Sequence, residues 1–424
     1  MRGPGKLKLP IASRNCAMAR SVSNTIITPA LCFLAALVEG YDLQSAGLAA
    51  PQLAKVYGLS PQMLGMVFSA STLGLLLGAV VCGRLSDLIG RKGLLVTALL
   101  TFGLFSIATA LAPDVPSLLA MRFLTGLGLG GAFPVLIALV AASGDPRTQA
   151  RRVTMVTAGM PLGGALAGML VATQRGLDWA TIFHVGGITP LVLAVVVAWA
   201  MREPTMPQNL DLAAPAPVRA ASTRTVLFGG GRAVPTLALW ISSFGTLVVL
   251  YLLLNWLPTL MISRGLARAD ALIAAAAFSG AGAMGTLVLG SLLSHQRRGG
   301  LLGGVYGGLA LGLAVLAGGV IAPIAAAALA GFFVIGAQFV LYGLSAEPYP
   351  PSMKGTGAGA SVAAGRLGAM AGPMIAGAVL TAGGTASQVL ALLLPIAVVA
   401  FIATLPLSWR SRRASAVEAS AGPG

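Results

Sequence analysis

Two carboxyls three residues apart, Glu39 and Asp42, lie in the middle of an apolar stretch, Leu31 to Pro51, of membrane-helix length. A helix in hydrocarbon keeps its backbone bonded internally, and an ionised carboxyl there costs at least about 2.5 kcal/mol. Residues at i and i+3 share one helix face, so both carboxyls should point the same way, toward protein or water. Such a pair can take up and release a proton or bind an ion; a structural pair held by a buried arginine is the alternative. Two arginines occupy other apolar stretches, Arg122 and Arg366. Each stays charged and needs an acceptor. Glu39 or Asp42 would serve Arg122, and protonating that carboxyl would weaken the pair. Arg366 lies among small residues (AAGRLGAMAG), which leave its guanidinium room to clamp a carboxylate with two parallel hydrogen bonds. An ion pair with Glu347 is the alternative there.

These residues need membrane helices to position them, and the composition provides for that. Only 9% of the 424 residues are charged, against about 25% in soluble domains. Apolar stretches of about 20 residues give twelve spans, at 25–50, 61–82, 94–112, 116–142, 152–172, 179–201, 235–261, 270–293, 301–320, 322–346, 357–381 and 386–408. Only Ala322-Pro323 punctuates the run that must hold spans nine and ten. The expected class is therefore an all-α membrane protein. The 56 glycines suit helices packed closely through small side chains.

The net charge of +16 could signal nucleic acid, but its distribution argues for topology. Of the 27 Lys and Arg, 21 fall in the termini and alternate connections, including Arg84, Arg91 and Lys92, then Arg147, Arg151 and Arg152. The opposite connections hold Lys55, Arg175, Arg264 and Arg268. That asymmetry places both termini in the cytoplasm, with no nucleic-acid partner expected. Residues 1–24 form a basic polar tail without the apolar stretch of a signal peptide. A Pro-, Ala- and Arg-rich linker at 202–234 divides 25–201 from 235–408, six spans on each side. The tail at 409–424 reads as disordered.

Three cysteines form no disulfide framework, and His184 and His295 are too few and too separated for a histidine metal site. No cofactor is expected. The chain offers no zinc motif, phosphate loop or Ser–His arrangement, so it does not read as an enzyme.

The two sets of spans echo one another. Gly83 to Gly93 (GRLSDLIGRKG) aligns at a constant offset with Gly290 to Gly300 (GSLLSHQRRGG), and Pro161 corresponds to Pro373. Paired six-helix repeats are the architecture of transporters that rock about a midplane site. The first copy resembles the G-x-L-x-D-x-x-G-R-[KR] loop of the major facilitator superfamily. Arg122 to Gly131 (RFLTGLGLGG) resembles the R-x-x-x-G-x-G-x-G helix motif of that superfamily. Glu347 to Gly357 resembles its E-x-[FY]-P…[RK]-G-x-G segment. The likeness implies a gating loop of Gly83, Asp87, Gly90, Arg91 and Lys92, with Glu347 and Lys354 serving the same cytoplasmic gate. In the second copy Ser294 stands where the acid would be, so its latch should be weaker.

Glu39-Gly-Tyr-Asp42 followed by AGLAAP resembles the aromatic acid:proton symporter branch. Residues 31–47, 68–79, 102–110, 253–260 and 362–373 look like its 3-(3-hydroxyphenyl)propionate transporters. The resemblance implies an inner-membrane importer of an aromatic carboxylate with protons, powered by the proton gradient and working as a monomer. Glu39, Asp42 and Arg122 would couple the proton, and Arg366 would hold the substrate. Tyr41, Phe133, Phe244, Asn255, Trp256, Gln338 and Tyr342 lie in spans that could wall the ring. Trp256 is favoured because Pro258 can interrupt its helix. Proton-driven drug efflux, suggested by Gly159 to Gly164 (GMPLGG), and a non-transporting receptor are the competing readings.

Overall fold

The computed structural model describes residues 26–144, 146–174, 178–201, 222–292, 298–318, 322–350 and 353–420. Among the described residues the structure is helical and contains no strand. The long helices are α1 (Thr28–Val56), α2 (Pro61–Cys82), α3 (Leu88–Ala110), α4 (Val115–Ala142), α5 (Gln149–Thr173) and α6 (Trp179–Ala200). After the linker come α7 (Ala233–Ser263), α8 (Arg268–Leu292), α9 (Gly299–Gly318), α10 (Pro323–Leu344), α11 (Lys354–Thr381) and α12 (Ala386–Leu407). Eleven of these, α2 to α12, are long and apolar enough to cross a membrane. The expected twelfth, α1, has the length, with 29 residues, but carries Glu39, Asp42 and Lys55.

Several boundaries differ from expectation for local reasons. The first span, expected at 25–50, runs on through Pro51 to Val56 as helix α1. Proline forfeits a backbone donor, a loss this helix absorbs while the next turn buries Leu53. The chain stays helical from Pro61 to Ala110 except at Gly90, whose φ of 76° and ψ of 164° redirect it. Gly90 is thus the glycine in the motif that makes the turn. Asp114 starts α4 by accepting the Ser117 N–H at 2.9 Å. The hydrogen bonds from Ser117 hold the Asp114 carboxyl below the usual carboxylate range. Ala322 takes φ 51°, and Pro323 opens α10, so the dipeptide does divide spans nine and ten. The expected disordered tail is helical through Ser420, since 408–420 lacks Gly and Pro and is rich in Ala and Arg. The short helix Thr223–Phe228 lies within the expected linker, while 202–221 is outside the described residues.

Missing side chains let the helices around the buried charges approach closely. A Cβ at Gly40 would lie 1.7 Å from the Met160 carbonyl oxygen, so α1 touches α5 backbone to backbone. In α4 the glycine run serves two neighbours. Gly126 and Gly130 press on α2, and Gly128, between them, faces Phe102 of α3.

The first six and last six helices meet most tightly at the end bearing connections 57–60, 264–267 and 382–385. There the Gln62 N–H donates to Thr381 Oγ1 at 3.1 Å, and Ser69 Oγ donates to the Met370 carbonyl at 2.9 Å. The Phe68 and Trp256 rings pack edge-on with centroids 5.5 Å apart.

Candidate functional site

The four buried charges do not form one cluster. Helix α1 buries both acids, with Glu39 1% and Asp42 0% exposed. Asp42 Oδ2 accepts Arg122 Nη1 at 3.4 Å, and Oδ1 accepts Ser106 Oγ at 2.8 Å. Arg122 also donates to Ser71 Oγ at 3.3 Å and stacks 5.4 Å from the centre of the Phe183 ring. Asp42 is therefore the carboxyl that partners Arg122, through contacts confined to α1, α2, α3, α4 and α6. A buried charge left without its partner is strongly destabilising, so Asp42 and Arg122 depend on each other.

Arg366 belongs to a second group, which joins the two sets of helices. Arg366 is 9% exposed and donates from Nη1 to the Tyr251 hydroxyl at 2.7 Å. Arg366, Tyr251, Gly40, Leu43, Gln44, Phe133, Ser279, Phe339, Gln338 and Tyr342 line a small chamber of about 50 Å³. Gln44 closes its far side by accepting Ser279 Oγ at 2.6 Å and donating to the Ala275 carbonyl at 3.2 Å. Gln338 donates to the Tyr342 hydroxyl at 2.8 Å. Glu39 Oε2, buried on α1, has no hydrogen-bond partner.

Two larger cavities, of about 490 Å³ and 660 Å³, adjoin the chamber. Phe133 and Tyr342 line all three spaces, while Arg366 is shared with the first and Phe339 with the second. The second reaches Gln149, Ala150 and Val153, directly after Arg147, at the end of the bundle rich in basic connections. The space is thus wide at the basic end and sealed at the other.

The expected ring contacts divide. Phe133, Gln338 and Tyr342 line the chamber. Tyr41 turns toward α6, where its hydroxyl donates to the Ile182 carbonyl at 3.3 Å. Trp256 faces away, with Nε1 donating to the Pro373 carbonyl at 3.1 Å. Asn255 bonds the Tyr251 carbonyl of its own helix at 2.8 Å, and Phe244 is exposed on the outer surface. Pro258 lies within α7, which continues to Ser263 without the interruption that favoured Trp256.

Both basic residues of the expected gating loop donate to backbone carbonyls near the C-terminal parts of neighbouring helices. Arg91 donates to the Ala138 carbonyl at 3.4 Å, and Lys92 to the Ala198 carbonyl at 2.7 Å. Cations are favoured at helix C-termini; the Ala198 carbonyl belongs to the last turn of α6, and the Ala138 carbonyl precedes the last turn of α4. The side chain of Asp87 is outside the described residues, as are Gly83 beyond its backbone and most of the second loop copy. Glu347 follows α10, and Lys354 opens α11 at an exposed position. Between them Tyr349 is buried and shares a 2.7 Å hydrogen bond with Thr236.

Residues 32–373 match the family model described as the Major Facilitator Superfamily. The chain belongs to this superfamily. Among its relatives, the 3-(3-hydroxy-phenyl)propionate transporter of Escherichia coli K12 is 41% identical over 93% of this chain and 96% of its own. The 4-hydroxybenzoate transporter PcaK of Pseudomonas aeruginosa is 35% identical over 87% of this chain and 89% of its own. A D-xylose-proton symporter structure shares the fold, with a TM-score of 0.70 and 18% identity over 88% of this chain and 97% of its own. As a superfamily member related to aromatic acid transporters, the protein is a multi-pass inner-membrane transporter and not an enzyme.

Residue patterns alone overlooked Tyr251, Ser106, Ser71, Gln44 and Ser279. Gln44 and Ser279 were within reach, because a polar side chain inside an apolar span is itself a signal. Tyr251, in VVLYLLLNW, carried none that separates it from a packing aromatic.

Proposed function

We propose that this protein imports an aromatic carboxylate with protons, 3-(3-hydroxyphenyl)propionate or a related hydroxylated aromatic acid. The observation that carries this reading is Arg366, shared between the small chamber and the wide cavity, beside Phe133, Phe339 and Tyr342. A guanidinium fork suits a carboxylate, aromatic and apolar walls suit a ring, and Gln44, Ser279 and Gln338 offer partners for a ring hydroxyl. The names of the relatives support the same substrate class.

In this reading α1 is the twelfth span, and two six-helix halves, 25–201 and 235–408, are joined by the linker at 202–234. The tails at 1–24 and 409–424 are cytoplasmic by the charge asymmetry. The wide cavity then opens to the cytoplasm, and the contacts from Gln62 to Thr381 seal the outer side. Substrate and proton enter from outside, the halves rock, and both leave inside. Protonation of Asp42 loosens its pair with Arg122, changing how α1 sits against α3 and α4. Asp87, Arg91, Lys92, Glu347 and Lys354 act at the cytoplasmic gate. In the inward-open arrangement Arg91 and Lys92 are docked on their own half. The protein works as a monomer.

The test is uptake of labelled 3-(3-hydroxyphenyl)propionate by transporter-deficient cells with its metabolism blocked. Accumulation that collapses with a protonophore supports proton-driven import. Faster loss of preloaded substrate on expression points to efflux, and binding without accumulation points to a receptor. Either result rejects the proposal.

A further inference from the structure

We propose that Gln44 and Ser279, left uncovered by Gly164, form a subsite that reads a hydroxyl on the substrate ring and favours it only modestly. This rests on the import reading above, and it adds aromatic carboxylates without a ring hydroxyl to the substrates carried. Arg366 lines both the chamber and a wide cavity, whereas Gln44 and Ser279 line the chamber and neither of the larger cavities. With its carboxylate on Arg366, the substrate extends its ring toward the blind end, where α1, α5 and α8 meet.

That end is built from buried polar atoms, Gln44 and Ser279 each being 1% exposed. Ser279 Oγ donates to Gln44 Oε1 at 2.6 Å, and Gln44 Nε2 donates to the Ala275 carbonyl at 3.2 Å, which fixes the amide with its oxygen toward Ser279. A carbonyl oxygen accepts two hydrogen bonds, and a hydroxyl that donates still accepts, so each oxygen can take one more donor. Gly164 leaves both within reach of the chamber that it lines. A Cβ there would stand 2.6 Å from Gln44 Oε1 and 3.1 Å from Ser279 Oγ, so any other residue would cover them. Pro161, Leu250, Leu254 and Ile335 supply apolar walls for the ring. Gln338, the other amide of the chamber, donates to Tyr342, which borders the wide cavities, and so lies toward the carboxylate end.

The bond between the two side chains sets how selective the subsite is. A site whose polar groups wait unpaired for a hydroxyl rejects the analogue lacking it by roughly 10⁴-fold or more, because binding then buries them unsatisfied. Gln44 and Ser279 already satisfy each other, so an unsubstituted ring strands neither of them. A ring hydroxyl adds one neutral hydrogen bond, a preference of roughly 2- to 12-fold. The chamber, at about 50 Å³, is smaller than the roughly 150 Å³ that holds benzene. Phe133 and Tyr342, which line all three spaces, therefore part to admit the ring.

The experiment is calorimetric titration of the purified full-length protein in lipid nanodiscs with 3-(3-hydroxyphenyl)propionate and with 3-phenylpropionate. The two share carboxylate and chain, so the ratio of their affinities isolates the hydroxyl. The unmodified protein is expected to bind both and to favour the hydroxylated acid by roughly 2- to 12-fold. Ser279→Ala makes Gln44 Oε1 depend on the ligand for its donor, so the ratio should rise by roughly fivefold or more. Combining Gln44→Met with Ser279→Ala leaves the hydroxyl no partner, and the ratio should fall below one. A purely structural role for the pair would weaken both acids alike and leave the ratio where it was. If Ser279→Ala folds poorly, Gly164→Ala, which covers both oxygens, should bring the ratio to one or below. A ratio that neither the single nor the double variant moves overturns the inference and leaves the import reading standing. Equal affinities, or a preference of a hundredfold, in the unmodified protein also overturn it. No binding of either acid removes the substrate assignment and the inference together.

Discussion

Replacing Arg366 with lysine keeps the charge and removes the fork, so it isolates the geometry of anion binding. In the structure Nη1 is engaged by the Tyr251 hydroxyl at 2.7 Å, which fixes the guanidinium plane while the remaining donors stay available. Lysine has three donors on one nitrogen and cannot present two parallel N–H groups to a carboxylate. One charge-assisted hydrogen bond is lost, worth about 1.5–3 kcal/mol. Arg366→Lys should thus weaken substrate binding roughly 10- to 150-fold. Arg366→Ala should weaken it further, because it removes the charge as well as the fork. The assay is equilibrium binding of labelled substrate to purified protein, with folding confirmed by size exclusion and thermal melting. A folded Arg366→Lys protein that binds within twofold of the unmodified affinity would refute the forked clamp. Unchanged affinity in Arg366→Ala would remove Arg366 from the substrate site altogether.

Three further substitutions probe other parts of the structure. Asp42→Asn should abolish accumulation driven by a proton gradient while leaving substrate exchange measurable by counterflow; full accumulation at normal expression would sink the coupling role of Asp42. Gly40→Ala puts a Cβ 1.7 Å from the Met160 carbonyl oxygen and should cost roughly 1–3 kcal/mol or more through separation of α1 from α5. An unchanged melting temperature would show that α1 and α5 can part without penalty. Gln44→Ala removes two hydrogen bonds to α8, each worth about 1 kcal/mol, and should favour opening of the sealed end by roughly 30-fold. Faster labelling of a cysteine introduced at Gln62 reports that shift, and equal labelling rates contradict it.

The arrangement of long helices was largely legible in the sequence, because twenty-residue apolar runs have few alternatives in a bilayer and Gly, Pro and basic residues mark their ends. Motif likeness identified the superfamily from Gly83–Gly93 and Arg122–Gly131. The site was less legible. Sequence spacing puts Glu39 and Asp42 on one face, but a face can meet several helices, and only the fold assigns Asp42 to Arg122 and Ser106. Asn255 and Trp256 drew attention through Pro258. The structure keeps α7 helical there, turns the Asn255 amide onto its own helix and seals Trp256 against α2 and α11. Tyr251, one turn before Asn255, holds Arg366 instead. Its role depends on which residue of α11 lies opposite, a relation between helices far apart in the chain that periodicity within one helix does not carry.

The central claim is that an inward proton gradient drives substrate inward through this protein. Its most direct test uses purified protein in sealed proteoliposomes with a neutral interior, an acidic exterior and labelled 3-(3-hydroxyphenyl)propionate outside. The account predicts transient accumulation above the external concentration that vanishes when a protonophore is added, beyond any uptake by protein-free liposomes under the same gradient. Uptake that only equilibrates, with the same rate whether or not the gradient is imposed, would contradict proton symport.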